Sequence, residues 1–134
     1  MGMVDALHEA RRALRHGGTL IDLRPDSSHP PRVVRDGVDV GGFYERREAI
    51  ADNRASDRAV VRVVRDGLLK PVRAGAFWYD TPYPDLASLD AWCATSRRIG
   101  GYTPRTHAAL RRDRDRPLIV HRALAFGIYR RTER

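Results

Sequence analysis

One stretch, LHEARRALRHGGTLIDLRP from Leu7 to Pro25, constrains the fold more than any other part of the chain. Apolar side chains at Val4, Leu7 and Leu14, with Ala10 and Ala13 between them, recur at three- and four-residue steps. That spacing makes one side of a helix apolar. Arg11, Arg12 and Arg15 lie toward the end of this helix, where positive charge complements the helix dipole. Gly17 or Gly18 can adopt the left-handed backbone that closes a helix without a Cβ clash. Thr19 to Leu23 is then a short, mostly apolar run of the kind buried on both faces of a sheet. Pro25 has no N–H to donate to a ladder and ends the run. The stretch therefore predicts a helix, a glycine turn and a buried strand.

The remaining elements follow from punctuation and periodicity. DSSHPP after Pro25 predicts a surface loop. RVV, then Asp36-Gly37, then VDV predicts a hairpin, because Asp-Gly between β-branched runs favours a two-residue turn. Gly41-Gly42 permits a change of direction. Glu45 to Asp66 reads as helix, with Asp52 or Asn53 as a break point. Its valines at 60, 61, 63 and 64 favour a strand by propensity. Their pairing around Arg62 and the stop at Asp66-Gly67 favour a helix, which we adopt. Leu68 to Asp80 reads as an aromatic strand and TPYPD as a loop. Asp85 or Ser88 caps a helix through Ile99, closed by Gly100-Gly101. Thr103-Pro104 opens a short helix, and Leu118 to Arg130 is the last strand. The expected fold is α/β: a mixed sheet of four or five strands with helices packed on it, in a single domain over residues 1–134.

Composition narrows the function classes. The net charge is +8, carried by arginine, with Lys70 the only lysine. A basic chain can meet nucleic acid or an anionic surface. Here the arginines are spread along the chain, so an arginine-rich nucleic-acid-binding domain ranks behind the other readings. No apolar run approaches the roughly eighteen residues that span a bilayer. The N-terminus lacks the apolar segment of a secretion signal. Cys93 is the only cysteine, which excludes an internal disulfide and makes the cytoplasm the expected compartment.

The passage EARRALR, Gly-Gly, TLIDLRP resembles the helix–turn–fifth-strand passage of class I S-adenosylmethionine-dependent methyltransferases, written E-x-x-R-x-L-x-x-G-G before an apolar strand. Glu9, Arg12, Leu14, Gly17 and Gly18 fit that pattern, and His16 stands where a proline is common. The order that follows, a helix ending in RVVRDGLL, an aromatic strand, a helix and the closing strand, also resembles the C-terminal half of such Rossmann-like enzymes. The family's cofactor site is a strand, a G-x-G-x-G turn and an acidic residue for the ribose. No such turn occurs here: Gly17-Gly18 and Gly41-Gly42 are isolated pairs. The resemblance thus implies a methyltransferase-like partial domain that is not self-sufficient, with S-adenosylmethionine as cofactor by resemblance only. It would bind a small molecule or a partner chain. An apolar strand without its family neighbour invites pairing, so a homodimer or a partner chain supplying missing strands is expected. A complete small α/β enzyme or ligand-binding domain is the alternative.

The candidate substrate-binding residues are Asp22, Arg24, Asp26, Tyr79, Asp80 and Tyr83. The first three lie at the carboxyl end of the Thr19–Leu23 strand, where open parallel α/β sheets place ligands. Arg24 offers a planar fork for a carboxylate or phosphate, or else pairs with an aspartate to tie down the loop. Tyr79 and Tyr83 could line an apolar pocket, with Asp80 orienting a hydroxyl or amine. Phe77 and Trp78 read as core. The histidines show no metal-site spacing; His29 could act as a base in its polar loop, and His121, in a strand, reads as a satisfied core residue. Cys93 reads as a buried, inert thiol.

Overall fold

The computed structural model describes residues 2–134. Its elements are α1 (Met3–Ala13), β1 (Thr19–Pro25), β2 (Arg32–Arg35), β3 (Val38–Glu45), α2 (Arg47–Arg65), β4 (Leu69–Tyr83), α3 (Leu86–Thr95), β5 (Ile99–Tyr102), α4 (Pro104–Arg111) and β6 (Leu118–Arg131). The strands order as β1-β6-β2-β3-β5, with β4 on β6. The expected mixed sheet of four or five strands is corrected here: the sheet has six strands and is antiparallel. The added strand is β5, read from sequence as a helix end. Its two central glycines carry little strand preference. Pairing with Phe43, Tyr44 and Glu45 of β3 supplies what propensity does not. The Tyr44 ring lies against Gly100 and Gly101, where any side chain would collide with it.

The chain divides into two compact units. The first holds residues up to Arg24, Ala51–Ala76 and Ala125–Arg134; the second holds Pro25–Ile50 and Phe77–Leu124.

In the first unit, α1 and α2 each place an apolar stripe on the sheet. Leu7, Ala59, Val60, Val63 and Leu69 are buried together, with Leu20 and Tyr129 packed against them. The valine run therefore folds as helix, because its i, i+3 face fills this core. α2 runs without a break at Asp52 or Asn53. Arg11 Nε donates to the Leu68 carbonyl at 3.1 Å, and the Arg131 guanidinium donates to the Leu14 carbonyl. The second bond satisfies the carbonyl of Leu14, the C-cap of α1, and the first ties α1 to the segment that follows α2. Gly17 takes φ +70° in the turn, while a Cβ on Gly18 would crowd the Arg15 carbonyl at 2.8 Å. β1 departs from expectation. It alternates between exposed and half-buried residues, with Ile21 64% and Leu23 53% exposed, so only one face is covered.

In the second unit, Val33, Phe43, Leu86, Leu89, Ile99, Leu110, Leu118 and Val120 form the core. The β2–β3 hairpin turns at Asp36-Gly37, with φ of 51° and 75° and Arg35 opposite Val38. Both positive φ values define the turn that matches the twist of the strands. Asp85 caps α3 by accepting from Ser88 N at 2.8 Å, and Thr103 caps α4, with Pro104 in the first turn. Gly41, at φ +134°, faces Thr106, whose hydroxyl accepts from Gly42 N at 2.8 Å. That contact seats α4 on β3.

Candidate functional site

The six sequence-derived residues separate in the structure. Asp22 and Arg24 belong to the first unit, and Asp26, Tyr79, Asp80 and Tyr83 to the second. The antiparallel sheet also removes the argument that placed ligands beyond a parallel strand end at Asp22, Arg24 and Asp26. Arg24 Nε donates to Asp22 at 3.0 Å and its Nη1 to Asp57 of α2 at 2.7 Å. Its fork is filled by the chain's own carboxylates and ties β1 to α2. Asp26 accepts from Ser28 N and pairs with His29 Nδ1, both at 2.9 Å. The His29 ring lowers the Asp26 pKa, opposed by the smaller effect of burial. These bonds brace the loop.

Asp80 joins a group that sequence reasoning did not assemble. His121 Nδ1 meets its carboxylate at 2.5 Å. The His121 ring stacks on Trp78, centroids 4.3 Å apart and nearly coplanar, and His29 meets the same indole edge-on at 5.5 Å. Phe77 and Trp78 are 44% and 43% exposed, so neither is the core residue expected. His121, expected in the core, is partnered by Asp80 but at the surface of β6.

Tyr79 and Tyr83 point elsewhere. Tyr79 lines a cavity of about 210 Å³ together with Trp92, Ser96, Arg98, Ile99 and Arg122. Arg122 packs over the Trp92 ring, with its Cζ 4.2 Å from the centroid, and its Nη2 donates to the Tyr83 hydroxyl at 2.8 Å. Arg98 Nη2 donates to Glu45 at 2.9 Å, and these two side chains are only 20% and 10% exposed. Ser96 Oγ accepts from the backbone of Ile99 at 3.0 Å, which holds the turn after α3. The Nε–H groups of Arg98 and Arg122 are buried and have no acceptor. A buried donor left unpaired is costly, so each such group calls for an explanation. Arg11, Arg35 and Arg131 also carry buried nitrogens without a partner, so the feature is not peculiar to this cavity.

The signal for this site was present in β6. Leu118, Val120, Arg122 and Leu124 alternate onto one face, and Leu118 and Val120 are core. A charged residue in that row is out of register with burial. Arg98 carried no such mark, because it lies in the bend before β5, which sequence reasoning did not recognise.

Two wider clefts hold less chemistry. One, of about 590 Å³, is walled by Pro82, Tyr83, Pro84, Pro117 and Ile119, and its Asp36 is taken by Arg116. The other, of about 610 Å³, lies over Gly41 and α4, and its Arg32 and Asp39 pair at 3.0 Å. Cys93 is half-buried, and burial raises its pKa. Among the described residues, no three of His, Cys, Asp and Glu converge as a metal site. No helix is long and apolar enough to cross a membrane.

The residues do not reproduce the glycine-rich turn that holds S-adenosylmethionine in the family: the described strand-to-helix connections hold Arg46, Pro84-Asp85 and Thr103, with no glycine to let the backbone approach a ribose. The 210 Å³ cavity itself falls below the roughly 300 Å³ at which sites for drug-sized ligands begin. Compared with known proteins, the chain matches no family model, no curated protein and no solved structure.

Proposed function

We propose that this chain is a methyltransferase-like partial domain that binds a small molecule and is not a self-sufficient methyltransferase. The resemblance rests on the Leu7–Pro25 passage of the sequence. The observation that carries the binding role is the cavity lined by Tyr79, Trp92, Arg98 and Arg122, in which aromatic walls meet the Arg122 guanidinium, whose partners are the Tyr83 hydroxyl and the Trp92 ring.

Binding to the folded state raises the melting temperature by mass action. In thermal-shift measurements, S-adenosylmethionine and S-adenosylhomocysteine are expected to leave the melting temperature unchanged, while small organic anions are expected to raise it. A saturable shift with either adenosyl compound would overturn the reading.

Self-association has its own support. β1 is the first strand in the order and has a partner on one side only, among the described residues. Its outer face presents Ile21 and Leu23 to solvent. An unpaired edge with apolar side chains is a template for another strand, and a second copy of the chain is the occupant we assign to it.

A further inference from the structure

We propose that the cavity lined by Tyr79, Trp92, Arg98 and Arg122 is a site for a small aryl carboxylate carrying a single negative charge. The inference rests on the small-molecule reading above and names the class of ligand. Charge balance decides the valence. Arg98 is already neutralised by Glu45 at 2.9 Å, in a pair largely removed from water. Arg122 donates to the Tyr83 hydroxyl and lies over an indole, and among the described residues no carboxylate pairs with it at hydrogen-bond distance. The site therefore holds one uncompensated positive charge. A monoanion balances it, whereas a phosphate dianion would leave a buried negative charge unpaired, which is unfavourable at low dielectric.

Shape decides the body of the ligand. Apart from the arginines and Ser96, the walls are Tyr79, Trp92, Ile99, Leu124 and two prolines, Pro25 and Pro31. Aromatic walls favour offset or edge contacts with a ring. A volume of about 210 Å³ admits one ring and its carboxylate, but not a nucleotide or a peptide. The Arg122 guanidinium, which lines the cavity, supplies the charged donors that a planar carboxylate accepts.

The test compares benzoate with benzamide, its neutral counterpart of similar shape, and with inorganic phosphate, by calorimetry on the full chain. Benzoate is expected to bind at least about tenfold more tightly than benzamide, the worth of one charge-assisted bond. Arg122→Gln is expected to erase that difference, with Arg122→Lys retaining part of it. Because Arg122 also stacks on Trp92, each variant is checked by its melting profile, and the wild-type comparison stands without them. Equal binding of benzoate and benzamide overturns the carboxylate assignment while leaving a small-molecule cavity. Phosphate binding as tightly as benzoate overturns the single-charge argument. Failure of all three at millimolar concentration overturns both the assignment and the cavity reading.

Discussion

Asp26 shows how one side chain can brace a loop in a pH-dependent way. Its carboxylate accepts from Ser28 N and meets His29 Nδ1, and His29 lowers its pKa. A depressed folded-state pKa means that the unfolded chain binds the proton first. The stabilisation is therefore complete above the ordinary carboxyl pKa of about 4. It is lost as pH falls through the lower folded-state value. Asp26→Asn removes this dependence. The variant is expected to be less stable than wild type near neutrality and to converge with it in acid, as read by urea midpoints across pH. A constant gap at every pH would mean that the carboxylate charge plays no part. Arg24 carries the opposite lesson. Sequence alone left open whether its fork holds a ligand or an aspartate, and Asp22 and Asp57 both occupy it. Asp57 lies on α2, so no local pattern could have supplied that partner.

Elements meet where backbone comes close to backbone. Gly41 is the clearest case: its φ of +134° disfavours any side chain, and a Cβ there would fall on Thr106. Gly41→Ala is expected to destabilise the chain by about 1–3 kcal/mol from backbone strain alone. The clash with Thr106 adds to that, and equilibrium denaturation measures the sum. An unchanged midpoint would show that α4 shifts freely on β3. Helices and caps were legible because their signals are local: Asp85, Thr103-Pro104 and the stripe of α2 each sit within a few residues of what they control. The Asp36-Gly37 hairpin was legible for the same reason. β5 was not, since its stabilisation comes from β3, distant in sequence. The cavity was half legible. Tyr79 and Tyr83 stood out as aromatics beside a loop, but Trp92, Arg98 and Arg122 reach them only through tertiary packing.

At the scale of the whole molecule, each unit has its own core, and the basic charge is dispersed. Arg12, Arg24, Arg32, Arg98 and Arg116 each pair with a carboxylate. The exposed pairs among them, at Arg12, Arg32 and Arg116, add little stability. They do spend positive charge that a nucleic-acid surface would keep free. Assembly is predicted through the open edge of β1. Light scattering behind size exclusion is expected to show a concentration-dependent dimer. Leu23→Lys, which puts charge on the exposed face of that strand, is expected to shift it to monomer. A wild-type monomer throughout the micromolar range would remove the assignment.

The amino-acid sequence by itself determined the periodic elements: the stripes of α1 and α2, the caps of α3 and α4, the hairpin turn and the glycine junction before β1. Each follows from steric and hydrogen-bonding preferences that act over one or two turns of chain. Only the tertiary structure decided the antiparallel pairing, the existence of β5, the filling of the Arg24 fork and the meeting of Arg98 with Arg122. Those depend on which distant segments share a hydrogen-bonding edge or a buried surface, and a linear pattern carries no record of that choice.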